Sequence, residues 1–315
     1  MLESPTLPQH MRFSLVFAHD LAASALDRIA PLARVASYGR VHAAGDADAA
    51  VAQLLGVAGG IAPFAALGAG LQARGAYVLR ADPVTFVAGR DDVMLAGRVD
   101  DLSPQEASSL VDMLNRHFAG DAVAFHAPRT DAWFLTARES VPVETDALRP
   151  NEPIAPHLPR GPHGATWRRW LSEMQMLLHE HPVNRAREED GRAQVTGIWM
   201  SGGGTLSPTV TARHAAIHAA TSRAGDVVTG IARVADLAVT APPAGFDALP
   251  RRADAMVVPG NVGDAQAIER SWLSPALAAL ERGNLDHVSI VAINGDARSY
   301  ESGRPSWWRR MRARR

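Results

Sequence analysis

The strongest chemical signal in this sequence is a run of basic and amide side chains followed by a glycine triplet. His181-Pro182-Val183-Asn184-Arg185-Ala186-Arg187-Glu188 leads, after a short spacer, into Ile198-Trp199-Met200-Ser201-Gly202-Gly203-Gly204. A strand ending in three glycines leaves backbone N–H groups bare, and bare N–H groups can approach an anion closely. Arg185 and Arg187 stand upstream as a clamp for a phosphate or carboxylate. The same residues also read as a loop between strand and helix with surface arginines, and a glycine triplet alone does not choose between the two. His179 with His181, and His214 with His218, have spacings compatible with a metal. The first pair falls at a helix end, where imidazoles meet the last carbonyls. The second falls where a loop runs into a strand, so the i, i+4 spacing need not join them. No metal ligand and no catalytic residue is assigned from spacing.

Composition narrows the chemistry further. With 47% hydrophobic and 21% charged residues, the chain reads as a folded globular protein. Its 315 residues suggest about two domains, or one α/β domain with an insertion. All 32 basic residues are arginine, which excludes a Schiff-base or P-loop lysine. Cysteine is absent, which excludes disulfides, thiol nucleophiles and thiolate metal sites. A net charge of −1 excludes a generally basic nucleic-acid coat. With no long apolar run and no secretion signal in the first residues, the expected location is the cytoplasm. Residues 1–10 read as a leader, and Met11 is an alternative start.

The elements that must position these groups alternate between strand and helix. Phe13–Phe17 reads as a buried strand, followed by a helix through Leu21, Ala25, Ile29 and Leu32 with Pro31 near its end. A second helix runs from about Asp46 to Leu55 and is closed by Gly56. The stretch from Gly56 to Gly70 reads as loop or tightly packed backbone. A ββαββ unit follows over about 76–140. Its strands are 77–80, 84–87 and 93–96, with Asp82-Pro83 breaking the first two apart. Its helix opens on a capping box of Ser103, Pro104 and Glu106 and ends at Gly120 as a left-handed cap; strands 123–125 and 133–135 complete it. After a long connection over 141–165, Trp167, Trp170, Leu171, Met174, Leu177 and Leu178 form an amphipathic stripe read as core, stopped by Pro182. Strands at 195–200, 215–220, 255–258 and 288–293 alternate with helices at 227–237 and 265–280, the latter restarting at Ser274-Pro275. The expected fold is α/β, a mostly parallel sheet with helices on both faces and a small inserted ββαββ lobe. The body is placed at 11–75 and 145–300, the lobe at 76–140. A tail at 301–315 follows, with Trp307, Trp308 and six arginines over 304–315. That tail reads as a solvated terminus or as a contact to nucleic acid or a membrane.

The HPVNRAR and GIWMSGGG strings resemble the archaeal-type, cofactor-independent phosphoglycerate mutases, whose pattern is approximately HPVN-x-x-R followed by IWLWG-x-G. LDRIA from Leu26, DAAVAQLLG from Asp48, LRADPVTF, AGRVDDLSPQEASSLVDML and DVVTGIARVADL are similar to further segments of that family, in its order, over about 12–240. The pattern is closer still to a bacterial regulatory-protein group of the RpfE type. Both resemblances imply an alkaline-phosphatase-like architecture. The mutases use a serine nucleophile in a tight turn and two metal ions held by Asp and His residues.

The departures set the functional expectation. The nucleophile position falls on Ala47, within Gly45-Asp46-Ala47-Asp48, and alanine has no oxygen to phosphorylate. Loss of a nucleophile from a cooperating site commonly costs on the order of 10⁶ in rate. The first strand ends in Ala18-His19-Asp20 where the resemblance implies a metal-binding Asp-Gly. The lobe's Arg-Cys-Asn motif becomes Arg80-Ala81-Asp82, keeping Arg80, and Ser201 replaces a second Trp beside Trp199. Beyond residue 240 the only histidine is His287, beside Asp286 and ahead of the strand. The expectation is a catalytically degenerate, regulatory, phosphoglycerate-mutase-like protein without a cofactor. It would keep an anion pocket at Arg80, Asn184, Arg187, Gly202, Gly203 and Gly204 for a phosphorylated small molecule, with a protein partner left open. The alternative is a metal-dependent mutase or phosphohydrolase using manganese or zinc on displaced ligands such as His19, Asp20 and Asp48.

Overall fold

The computed structural model describes residues 11–18, 30–42, 47–57, 60–72, 75–138, 142–146, 150–206, 210, 214–249, 254–260, 265–294 and 296–303. His19, Asp20, Asp46, the helix expected over 21–29 and the tail from Arg304 lie outside them. The chain divides into two units, residues 1–57 with 209–315 and residues 58–208. No helix among the described residues is long and apolar enough to cross a membrane.

The first unit is the α/β body. Numbered along the whole chain, its strands are β1 (Arg12–Ala18), β2 (Gly39–His42), β8 (Ala216–Ala219), β9 (Val239–Thr240), β10 (Ala255–Val258), β11 (His287–Asn294) and β12 (Asp296–Gly303). They form one sheet in the order β2-β12-β11-β1-β10-β8-β9. The five strands from β11 to β9 are parallel, while β12 and β2 add antiparallel at one edge. The expected α/β class and mostly parallel sheet are therefore present. Side chains alternate across the sheet. Phe13, Leu15, Phe17, Val257 and Ile290 pack against Trp272, Leu277 and Leu280, which lie in the π turn 269–273 and the helix Ser274–Arg282. The restart expected at Ser274-Pro275 is that transition. The opposite side of β11, at Ser289 and Val291, lies under the helix α2 (Ala47–Leu55). Helix Arg223–Val234 packs beside α2.

Pro31 lies in the described helix α1 (Ala30–Tyr38). Two expectations for this unit change. The sheet does not finish at 293. β12 follows in a hairpin, and residues 301–303, assigned to the tail, belong to it. Its polar composition hides the alternation, in which only Tyr300 and Ser302 are buried among the residues around them.

The second unit is an antiparallel lobe. Its strands are β3 (Tyr77–Ala88), β4 (Val93–Arg98), β5 (Val123–Arg129), β6 (Ala132–Ala137) and β7 (Gly197–Thr205). Along β3, β6 pairs with residues 77–80, β4 with 84–88 and β7 with 77–84. Helix α3 (Ala62–Gly68) packs on β3 and β7, where the sequence reads as loop. Helices α4 (Pro104–His117), α5 (Gly164–His179) and α6 (Pro182–Glu189) bury their apolar sides in one core with Tyr77, Leu79, Ala81, Phe125, Trp133, Leu135, Ile198 and Met200. The Trp167 to Leu178 stripe lies in that core, as expected. The ββαββ segment is present, but the lobe extends well beyond 76–140 because α5, α6 and β7 complete the same core.

Local detail follows the sequence closely in places. Ser103 Oγ accepts from Glu106 N at 3.2 Å, and Glu106 Oε2 accepts from Ser103 N at 2.7 Å, so the capping box is complete. Asp82-Pro83 does not break β3. Pro83 sits within the ladder opposite Ile198, and its carbonyl accepts from Val99 N at 2.9 Å. Gly120 does not end α4 as a left-handed cap. A 3-10 turn at Phe118–Gly120 closes the helix, and Ala122 takes the positive φ of 55°.

Candidate functional site

One set of buried polar groups in the lobe lies on the side of its sheet opposite the main core. Tyr77, Leu79 and Ala81 of β3 point into that core, so Arg80 and Asp82 point away from it. Register partners share a face. Arg80 pairs with Phe134 on β6 and with Ser201 on β7, while Asp82 pairs with Trp199. The result is a row of Phe134, Arg80 and Ser201, with Asp82 and Trp199 one step along. Arg80 is fully buried, and Asp82, Ser201 and Trp199 are nearly so. The Arg80 guanidinium carbon lies 5.7 Å from the centroid of the Phe134 ring, a cation–π distance. A buried cation requires compensation, and the Asp82 carboxyl supplies opposite charge on the same face. The row continues to His126 on β5, opposite Phe134. A His126 ring nitrogen meets Thr136 Oγ1 at 2.9 Å, and burial holds its pKa below the usual histidine value.

The glycine triplet lies inside a strand. β7 runs through it to Thr205. Val78 pairs with Gly204 and Arg80 with Ser201, so Leu79 alone faces both Gly202 and Gly203. This is a β-bulge, and Gly202 takes the φ of +65° that such a bulge requires. Space adds a second reason for glycine here. A Cβ on Gly203 would lie 2.4 Å from the Tyr77 hydroxyl oxygen and 2.6 Å from Leu79 Cδ2. A Cβ on Gly60 would lie 1.9 Å from the Gly203 carbonyl oxygen. The segment entering α3 thus crosses directly against the glycine backbone.

Asn184 and Arg187 lie on α6, on the core side of the sheet, and are not brought to Arg80. The His181 side chain caps this helix, its Nδ1 accepting from Val183 N at 3.2 Å, so it serves a helix start rather than the preceding helix end. Asn184 Nδ2 donates to the carbonyls of Leu178 and Val195, both at 2.7 Å, and Oδ1 accepts from Val195 N at 2.8 Å. One amide therefore ties the end of α5 to the approach of β7. Arg187 is completely buried. Its Nε donates to Ala193 O at 2.6 Å, Nη1 to Glu106 Oε1 at 3.1 Å and Nη2 to Asp101. Arg192 shares both carboxylates. Arg187 holds the Asp101 carboxyl below its ordinary pKa. Burial pulls Glu106 upward, but the Ser103 backbone and Arg187 outweigh it and leave it lowered. Arg185 is exposed.

In the α/β body, Ala47 is the first residue of α2. Asp48 beside it is buried, with Oδ2 3.6 Å from Arg223 Nη2. The two spaced histidines diverge. His214 Nε2 lies 2.8 Å from Ser14 Oγ, whereas His218 Nδ1 meets Thr240 Oγ1 at 2.7 Å. His287 Nδ1 lies 3.3 Å from Ser289 Oγ. Among the described residues no group of three or more His, Cys, Asp or Glu is placed to hold a metal ion. Sequence reasoning missed His126 and Thr136, although strict alternation counted from Phe125 and Leu135 puts both on the Arg80 face.

Comparison with known proteins agrees with the resemblance to the phosphoglycerate mutases. Residues 42–184 match the family model described as 2,3-bisphosphoglycerate-independent phosphoglycerate mutase. A protein of that name from Methanosarcina mazei is 28% identical over 158 residues, covering 40% of this chain and 40% of its own. One from Methanosarcina barkeri is 27% identical over 130 residues, covering 40% of this chain and 32% of its own. The match thus spans about a third to two-fifths of the length of these relatives. Among solved structures, a cofactor-independent phosphoglycerate mutase from Thermoplasma acidophilum aligns over 92% of this chain and 89% of its own, at 17% identity and a TM-score of 0.39.

Proposed function

We propose that this chain is a phosphoglycerate-mutase-like protein of the regulatory type, without the mutases' phosphoryl transfer. It would bind a phosphorylated small molecule instead of turning one over. The observation that carries this reading is Ala47. It falls within the segment matched by the mutase family model and opens α2 where the resemblance puts a nucleophilic serine. A methyl group cannot carry a phosphoryl group between substrates. Asp48, a candidate displaced ligand, is buried against Arg223, which supports the same reading. Anion binding is assigned to the Arg80 face of the lobe. Arg80 is the second guanidinium among the six expected residues, and it lies on that face beside Phe134 and Ser201.

The test is conversion between 2- and 3-phosphoglycerate by purified protein with manganese, cobalt or zinc present, together with its metal content. The expected result is no turnover and no stoichiometric metal. Turnover of about 1 per second or more would overturn the proposal. Metal-dependent release of inorganic phosphate would establish the hydrolase alternative.

A further inference from the structure

On the α2 side of the body's sheet, a small polar cleft lies where β11 meets β12. In that hairpin Ser289 stands opposite Glu301, and Val291 stands opposite Ser299. The four side chains share one face, a two-by-two block with an oxygen-bearing side chain at three of its corners. Ala50, Gln53 and Leu54 of α2 form the facing wall. Ile290 and Tyr300 turn their side chains the other way, into the core with Trp272 and Leu277, and line the cleft with backbone. Glu301 is exposed, and Ser289 is nearly buried. The room inside is about 20 Å³, enough for one water-sized group and too small for a phosphate or a sugar ring.

The lining selects what that group is. A carboxylate only accepts, and each serine hydroxyl has lone pairs to offer. Ser289 Oγ lies 3.3 Å from His287 Nδ1. Burial lowers the pKa of His287, helped by Arg12 and opposed by Glu301. In the neutral ring a bare Nδ1 takes the hydroxyl proton, which leaves the Ser289 lone pairs to the cleft. Among the described lining residues none is basic. Arg40 of β2 is in register with Glu301 but exposed, so its pull on that carboxylate is weakened by solvent. Three acceptor corners and one negative charge match a head group with three N–H donors and one positive charge. Val291, Ala50 and Leu54 supply an apolar wall for a short carbon chain. Every basic residue of the chain is arginine, so no side chain of this protein is itself such a group.

We propose that this cleft binds a small primary alkylammonium ion. Its N–H groups are shared by Glu301, Ser289 and Ser299, and its chain lies along Val291 and Leu54. The site belongs to the α/β body, takes the opposite charge to the anion assigned to the lobe, and does not rest on that assignment.

The test follows backbone amide and methyl NMR signals of the full chain at about pH 8, above the histidine range. n-Butylammonium chloride is the probe. Potassium chloride and tetramethylammonium chloride, which has the same charge and no N–H, are the controls. Signals of Ser289, Val291, Ser299 and Glu301 should shift and saturate with a Kd of about 10 mM or below, and neither control should reproduce this. Glu301→Gln and Ser289→Ala should each weaken binding, the former about tenfold. If Ser289→Ala does not fold, Glu301→Gln decides. Absence of saturating shifts refutes the proposal and leaves a cleft for water. Equal shifts with potassium or tetramethylammonium refute it as well, as does parental affinity in Glu301→Gln.

Discussion

Replacing Arg187 by methionine separates an architectural role from a ligand-binding one. The substitution keeps length and apolar bulk and removes the guanidinium. It leaves the Ala193 carbonyl without its donor at 2.6 Å, and it leaves Glu106 and Asp101 without their shared cation. Breaking a buried ion pair typically costs about 3–5 kcal/mol, and an orphaned buried carbonyl about 1–3 kcal/mol. These costs do not simply add. The Asp101 side chain is 60% exposed and so keeps its hydration, and Arg192 still reaches both carboxylates. The expected loss is therefore about 3 kcal/mol, near the bottom of the ion-pair range. In a unit of roughly 150 residues that corresponds to about 6–12 °C in Tm. Trp133, Trp167, Trp170 and Trp199 all lie in the lobe, so tryptophan fluorescence during thermal or urea unfolding is a suitable probe. Arg187→Lys should recover less than half of the loss, since an ammonium cannot span three acceptors in a fork. Inorganic phosphate should stabilise the parent and the variant by equal amounts. A variant that unfolds within about 1 kcal/mol of the parent but has lost its stabilisation by phosphate would refute the reasoning. Arg187 would then be a ligand contact.

Other consequences can be measured on the same material. Ser103→Ala removes the oxygen that caps α4 and should cost about 1 kcal/mol, read from the urea midpoint at unchanged slope. An unchanged midpoint would mean that the cap does not hold the helix. Gly60→Ala forces a Cβ to 1.9 Å from a backbone oxygen and should destabilise the lobe by more than about 2 kcal/mol. Gly97→Ala, which meets nothing within 4 Å, is the control that should not. Burial lowers the pKa values of His126, His181 and His287, assisted by Arg116 at His181 and, at His287, by Arg12 against the opposing pull of Glu301. The unfolded chain therefore takes up these protons at higher pH than the folded one. Their contribution is complete above the ordinary histidine value near 6.5 and is lost as pH falls through it toward the folded values. Tm should fall between pH 7.5 and 5.5, and a flat or rising profile would contradict the burial account.

The sequence carries most of the parallel sheet because its strands are apolar on both faces and punctuated by helices with clear starts. Phe13 to Phe17, Ala255 to Val258 and Val288 to Ile293 need no tertiary information to be read as strands. The capping box at Ser103 is equally local, since all its atoms lie within one helical turn. What escapes is structure whose reason lies far along the chain. β12 is polar, and only its pairing with β11 makes Tyr300 a core residue. Helix α3 is rich in glycine and alanine because it presses on β3 and β7. Pro83 reads as a break until β7 is laid beside it and the ladder is seen to continue past the missing N–H.

The candidate site shows the same division more sharply. Its six residues were joined by nearness in sequence and by resemblance, and neither reports which way a side chain points. On α6, Asn184 and Arg187 turn toward β7 and toward the loop at Asp101, where every bond they make closes a gap between elements. On β3, Arg80 turns the other way, and its neighbours are fixed by register rather than by spacing in sequence. The glycines read as an anion cradle when taken alone. Beside Gly60 and Tyr77 they are the residues a bulged strand needs to pass beneath another segment. Alternation decides the matter for any strand residue. Once Leu79 is known to face the core, Arg80 cannot, and Phe134, Ser201, Asp82, Trp199, His126 and Thr136 are the described residues that alternation and register put on its face. A test of the proposed anion binding therefore begins with that face of the lobe, and with Arg80, not with the arginines that follow the HPVN string.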